Sequence, residues 1–105
     1  MQRARSVDVL ARRIDTDGPL SSRDAVRLVA RLARTVEALH TAGEVHGRLG
    51  AGAITLSGPR VAHARLLPAG LCVDDDAFHS PERRAGAAPS IADDIYAIGL
   101  VLYFV

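Results

Sequence analysis

Apolar positions recur with different periods along this chain, and each period predicts an element. Val7, Leu10, Ala11 and Ile14 stand three and four residues apart, which predicts a short amphipathic helix over residues 6–14. Ser6 is placed to cap it, and Asp15-Thr16-Asp17-Gly18-Pro19 carries the turn chemistry that stops it. A longer helix is predicted over 22–42. Its apolar stripe is Ala25, Val29, Leu32, Ala33, Val36, Leu39 and His40, and its other face carries Arg23, Arg27, Arg31 and Arg34. Ser21 and Asp24 have capping-box spacing, and Gly43 suits the left-handed position after the last turn.

Beyond this helix the period changes. A loop rich in glycine and alanine covers 46–53. Ala53-Ile54-Thr55-Leu56 and the alternating run Arg60 to Leu66 then predict a β-hairpin over 53–67, turning at Ser57-Gly58-Pro59. Residues 68–89 read as loop, with Pro81 suited to open a short helical turn. Ser90 and Asp93 form a second capping pair for a final helix over 91–105. Asp93 and Asp94 lie in its first turns, where the macrodipole favours anions. From Ile95 to Val105 no charge appears, so this helix is expected to be surrounded by protein. Eleven residues are too few for a membrane span of about 20. The fold class expected is mainly α with a small β-hairpin.

Composition narrows the chemistry. With 105 residues there is room for one domain and one modest core. The formal charge of +1 gives no global field that selects nucleic acid or a membrane. The arginine row reads as a solvated helix face, because one helix carries it and no aromatic residue interleaves. All 13 basic residues are arginine, and asparagine is absent. Schiff-base lysines, phosphate-loop lysines and asparagine metal ligands are therefore excluded. The lone Cys72 cannot form an internal disulfide, in keeping with a reducing, cytoplasmic setting. No apolar segment follows the basic N-terminus, so no signal peptide is read there.

Three stretches, taken in order, resemble one family. They are Gly43-Glu44-Val45-His46 before the loop, Ser80-Pro81-Glu82 after the hairpin, and Asp93 to Tyr103 in the final helix. This order and spacing resemble the C-terminal lobe of protein kinases, bacterial Ser/Thr kinases in particular. They correspond to the lead-in to the catalytic loop, to the A-P-E element and to the central buried helix. The resemblance implies a partial kinase-like lobe, without the small β lobe and without the end of the C-lobe. It implies structural roles for His46 and Leu49 as anchors of the loop. Asp94 is implied to hydrogen-bond the loop backbone, and Glu82 to seek an arginine beyond Val105.

The reactive groups implied by the same resemblance are missing. Phosphoryl transfer needs an aspartate to orient the attacking hydroxyl, and an asparagine and an aspartate to hold magnesium. The family loop H-R-D-L-K-P-E-N corresponds here to His46-Gly47-Arg48-Leu49-Gly50-Ala51-Gly52-Ala53. Arg48 cannot accept a proton, Gly50 replaces the lysine, and Ala53 has no ligand atom. Pro68-Ala69-Gly70 takes the D-F-G place, with Pro68 at the metal position. Asp74, Asp75 and Asp76 are the nearest carboxylates, and they read as a solvated acidic loop before they read as a cation site. The expectation is a pseudokinase-like fragment that uses no cofactor, binds protein, and contacts neither nucleic acid nor membrane. Two alternatives stay open. One is a piece of a divergent active Ser/Thr kinase, completed by further sequence and using ATP and magnesium. The other is a helical module that binds nucleic acid through its arginine face.

Overall fold

The computed structural model describes residues 7–57 and 61–105. Ser6 and the turn residues Gly58 and Pro59 lie outside them. A three-stranded antiparallel sheet is ordered β1-β2-β3, with β1 Val7–Val9, β2 Ile54–Ser57 and β3 Arg65–Leu66. Ile54 and Leu56 of β2 face the core and are 1% exposed, while Ser57 faces solvent. This alternation sets which side of the sheet is covered.

The helix expected over 6–14 is corrected. Residues 7–9 form a strand, and helix α1 covers Leu10–Asp17. Val7 and Val9 are β-branched and pair with Ser57 and Thr55. Helical spacing within nine residues carries no information about a partner strand nearly fifty residues later. α1 also runs three residues past Ile14, through Asp15-Thr16-Asp17. It ends where Gly18 adopts φ +85° and its N–H reaches the Ile14 carbonyl at 2.8 Å.

Helix α2 spans Ser22–Thr41, and Ser21 Oγ accepts from the Asp24 N–H at 3.2 Å. Its buried row is Ala25, Leu28, Leu32 and Val36. The expected stripe is thus corrected by one rotation: Leu28 enters the core, Ala33 is exposed, and Val29, Leu39 and His40 are half-buried. Leu28 is the larger side chain and fills the space under the sheet, where an alanine would leave a cavity.

The second hairpin arm is also shorter than expected. Residues 61–63 form a 3₁₀ turn, and only Arg65–Leu66 are strand. Val61 and Ala64 turn into the core, and Arg31 Nε donates to the Ala64 carbonyl at 2.7 Å. That bond fixes the turn against α2 and takes Arg31 out of the arginine row. The segment 68–89 contains two further 3₁₀ turns, Ala69–Leu71 and Asp76–Phe78, and the one-turn helix α3, Pro81–Arg84. Pro81 opens α3, and Ser80 Oγ accepts from the Arg83 N–H at 3.2 Å.

The final helix α4 spans Ile91–Phe104, with Ser90 Oγ accepting from the Asp93 N–H. It packs on α2 through Ala97 and Val101. Within this chain its other faces are open, with Ile95 60% and Tyr103 90% exposed. The two aspartates in its first turns are buried, at 5% and 1%. A charge is seldom that deep unless it is paired, and their partners define the site.

Candidate functional site

Asp94 is the hub. It lies on the first turns of α4, facing the loop that follows α2. Its Oδ2 accepts from the His46 N–H at 2.8 Å, and its Oδ1 from the Gly47 N–H at 2.9 Å. His40, near the end of α2, places Nε2 2.9 Å from Oδ2. Three donors on one buried carboxylate replace much of the hydration it loses. The sequence puts His40 on the apolar stripe of α2, and the histidine instead joins α2 to α4 and to the loop.

His46 is 8% exposed and serves both of its neighbours. Nδ1 accepts from the Arg48 N–H at 3.1 Å, so Nε2 carries the ring proton and donates it to the Leu67 carbonyl at 2.7 Å. The loop is thereby tied to the strand end that precedes Pro68. Leu49, 4% exposed, anchors its far side in the core.

The remaining loop positions are filled by packing groups. The Arg48 backbone bonds His46, and its Nη1 donates to the Cys72 carbonyl at 3.0 Å. At Gly50 a Cβ would lie 2.9 Å from Cδ2 and 3.0 Å from Cγ of Phe78. At Gly47, with φ +80°, a Cβ would lie 3.1 Å from Pro89. Ala53 is buried and offers no side-chain oxygen, and Pro68 is exposed and offers none. The segment 78–89 thus lies directly over the loop.

Arg83 clasps that cover, a role that no motif in the sequence marks. Its Nη1 donates to the Gly47 carbonyl at 2.9 Å and to Asp93 Oδ2 at 2.8 Å. Asp93 Oδ1 accepts from the Ser80 N–H at 3.1 Å. Burial pushes the Asp93 carboxyl up, but the hydrogen bonds from Ser80 and Arg83 outweigh it and hold it below the ordinary range. Its neighbour Glu82 is exposed, and its side chain has no hydrogen bond or ion pair among the described residues.

A carboxyl held below its unfolded value stabilises the fold fully above that unfolded value. It gives the stability up as pH falls through the folded value. Chemical unfolding followed from pH 7 downward should therefore show stability falling below about pH 4. Asp93→Asn should flatten that acid limb, and an unchanged slope would count against the assignment.

The acidic stretch divides. Asp75 caps its own turn, with Oδ1 accepting from the Ala77 N–H at 3.0 Å. Asp74, Asp76 and His79 are close enough together for one ion. The two carboxylates address opposite ring nitrogens, however: Asp74 Oδ1 is 2.7 Å from His79 Nε2, and Asp76 Oδ1 is 3.4 Å from Nδ1. Arg83 Nη2 stands 3.3 Å from the same Nε2 and 3.6 Å from Asp74. The hydrogen bond from His79, with the charges of Arg83 and Arg48, holds the Asp74 carboxyl below its usual value. A cation at Nε2 would have to displace a guanidinium. Asp74, Asp76 and His79 are thus engaged with one another and with Arg83, and Asp75 is turned to its own cap. Cys72 is buried, which pushes its thiol up against a partial offset from Arg48.

No protein-family model matches the chain. It is similar to serine/threonine-protein kinase PknK of Mycobacterium bovis, 31% identical over 111 residues that cover 95% of this chain. PknK of two Mycobacterium tuberculosis strains is 30% identical over 109 residues, or 93% of this chain. The chain is distantly related to serine/threonine kinases. It spans 10% of the length of these relatives, so the kinase relation concerns a short region of each. The kinase relation makes ATP and magnesium the groups to test against the residues present. Arg48, Gly50, Ala53 and Pro68 supply no carboxylate or amide oxygen, and Phe78 occupies the space beside Gly50. No helix among the described residues is long and apolar enough to cross a membrane.

Proposed function

We propose that this chain is a segment of a kinase-like C-terminal lobe that transfers no phosphate and acts by binding protein in the cytoplasm. One observation carries the reading. The buried Asp94 holds the backbone of His46 and Gly47 in a fixed loop, while the side chains of that loop are arginine, glycine and alanine where chemistry would need a base, a cation and a metal ligand. The frame is kept and the reactive groups are gone. On this reading no cofactor is used, and His46, Leu49 and Asp94 are framework residues.

Incubated with magnesium-ATP and a generic protein substrate, the chain should give no phosphate transfer above a no-protein control. Arg48→Asp should not restore it, because Ala53 and Pro68 still offer no metal ligand. Robust transfer that Asp74→Ala abolishes would sink the proposal. The names of the relatives favour a second reading, a piece of an active kinase completed by further sequence. That reading requires transfer once the missing segments are supplied, and Arg48 weighs against it.

A further inference from the structure

Two exposed surfaces of this chain carry opposite charge. On α2, Arg23, Arg27 and Arg34 lie along one side of the helix and are exposed. None has a hydrogen bond or ion pair among the described residues. Beside them runs a narrow apolar strip of Val26, Ala30 and Ala33, with Val26 63% exposed. Three cations flanking a shallow strip suit a ligand that is apolar and acidic at once.

The chain carries such a ligand at Leu71–Asp76. Leu71 and Val73 are 71% and 88% exposed. Cys72 between them is buried, its thiol 3.3 Å from the Pro68 carbonyl and its own carbonyl gripped by Arg48. Its extended backbone, φ −101° and ψ 146°, turns the side chains on either side outward together. Asp74, Asp75 and Asp76 follow at once; Asp74 is engaged by His79 and Arg83 and Asp75 by its own cap, so Asp76, 90% exposed and 3.4 Å from His79 Nδ1, is the carboxylate most open to a second chain. The segment is already ordered, by Arg48 at one end and by the Asp75 cap at the other, so docking it costs little further conformational entropy. No ion pair joins the two surfaces within one chain among the described residues.

We propose that the arginine face of α2 docks the Leu71–Asp76 segment of a second copy of this chain, so that the protein self-associates head to tail. The two patches differ, so the contact is heterologous and can propagate beyond a pair. The inference goes beyond the proposed loss of catalysis and does not depend on it.

The test is sedimentation equilibrium of the full chain across protein concentrations, in about 0.05 M and about 0.5 M salt. The average mass should rise with concentration at low salt and fall back toward the monomer at high salt. Arg23→Glu/Arg27→Glu/Arg34→Glu should weaken association about tenfold or more, as should Val73→Arg/Asp76→Arg. All the altered side chains are exposed, and unchanged circular dichroism confirms that each variant is folded. Mixing the α2 variant with the wild-type chain should restore a one-to-one contact, because the wild type supplies an arginine face and the variant keeps its acidic segment. A monomer at every concentration in low salt overturns the proposal. So does association that survives both charge reversals, which would belong to the exposed apolar face of α4. A monomer that takes up a DNA duplex through the arginines also overturns it, in favour of a nucleic-acid face.

Discussion

Asp94→Ala is expected to destabilise the chain by about 3–5 kcal/mol, the cost of breaking a buried, multiply bonded charge. The carboxylate is 1% exposed and accepts from His46, Gly47 and His40. Alanine leaves two backbone donors facing a dry cavity and a half-buried histidine with its partner gone. A domain of this size has about 5–15 kcal/mol in total, so the variant should lie near its folding limit at 37 °C. Asp94→Asn should cost less, because one amide oxygen still accepts while the amide nitrogen meets a donor. Urea unfolding monitored by circular dichroism reads both variants. If Asp94→Ala unfolds within about 1 kcal/mol of the parent, the carboxylate is not the hub described.

The same residue shows how far the sequence alone can be read. The serine caps were legible because they are local: Ser21 and Ser90 each accept from the backbone N–H three residues on, at Asp24 and Asp93, although the Asp93 carboxylate turns to Ser80 and Arg83 and does not close the box. A contact between Asp94 and the loop backbone was legible only through family resemblance, because 48 residues separate the partners. His40 was legible from neither source, since its spacing is that of an apolar stripe. Arg83 was hidden for a similar reason. One of three arginine and histidine side chains within the 79–84 run reaches Gly47, and nothing local says which.

The strand at Val7–Val9 and the turn at Val61–His63 fail for a different physical reason. Both segments have a periodic local pattern that tertiary contacts override. β2 recruits residues 7–9 by pairing, and Arg31 pins the backbone at Ala64. Short periodic runs are weak priors when a sheet edge or a guanidinium donor is close by. The arginine row of α2 was likewise read as one feature. All four are exposed, but Arg31 alone of them bonds the Ala64 carbonyl.

Gly50→Ala should destabilise the chain by about 1–3 kcal/mol, the usual cost of forcing an extra carbon into a packed site. The backbone there is extended, with φ 172°, so the cost is steric and owes nothing to glycine's left-handed freedom. The added Cβ would stand 2.9 Å from the Phe78 ring. That ring is 8% exposed and held edge-on by Phe104 at 6.1 Å, so it has little room to give. Gly50→Lys meets the same wall at its first side-chain carbon. Restoring the lysine that the family resemblance puts here would therefore expel Phe78 before it could restore any chemistry. Phe78→Ala opens the space at its own cost, and the double variant should be less damaged than the sum of the two single changes. A double-mutant cycle measured by urea unfolding decides the point. Strict additivity would separate Gly50 from Phe78 and leave the loop open to a side chain, and with it to a nucleotide. A coupling of about 1 kcal/mol or more would show that the Phe78 ring closes the loop at Gly50.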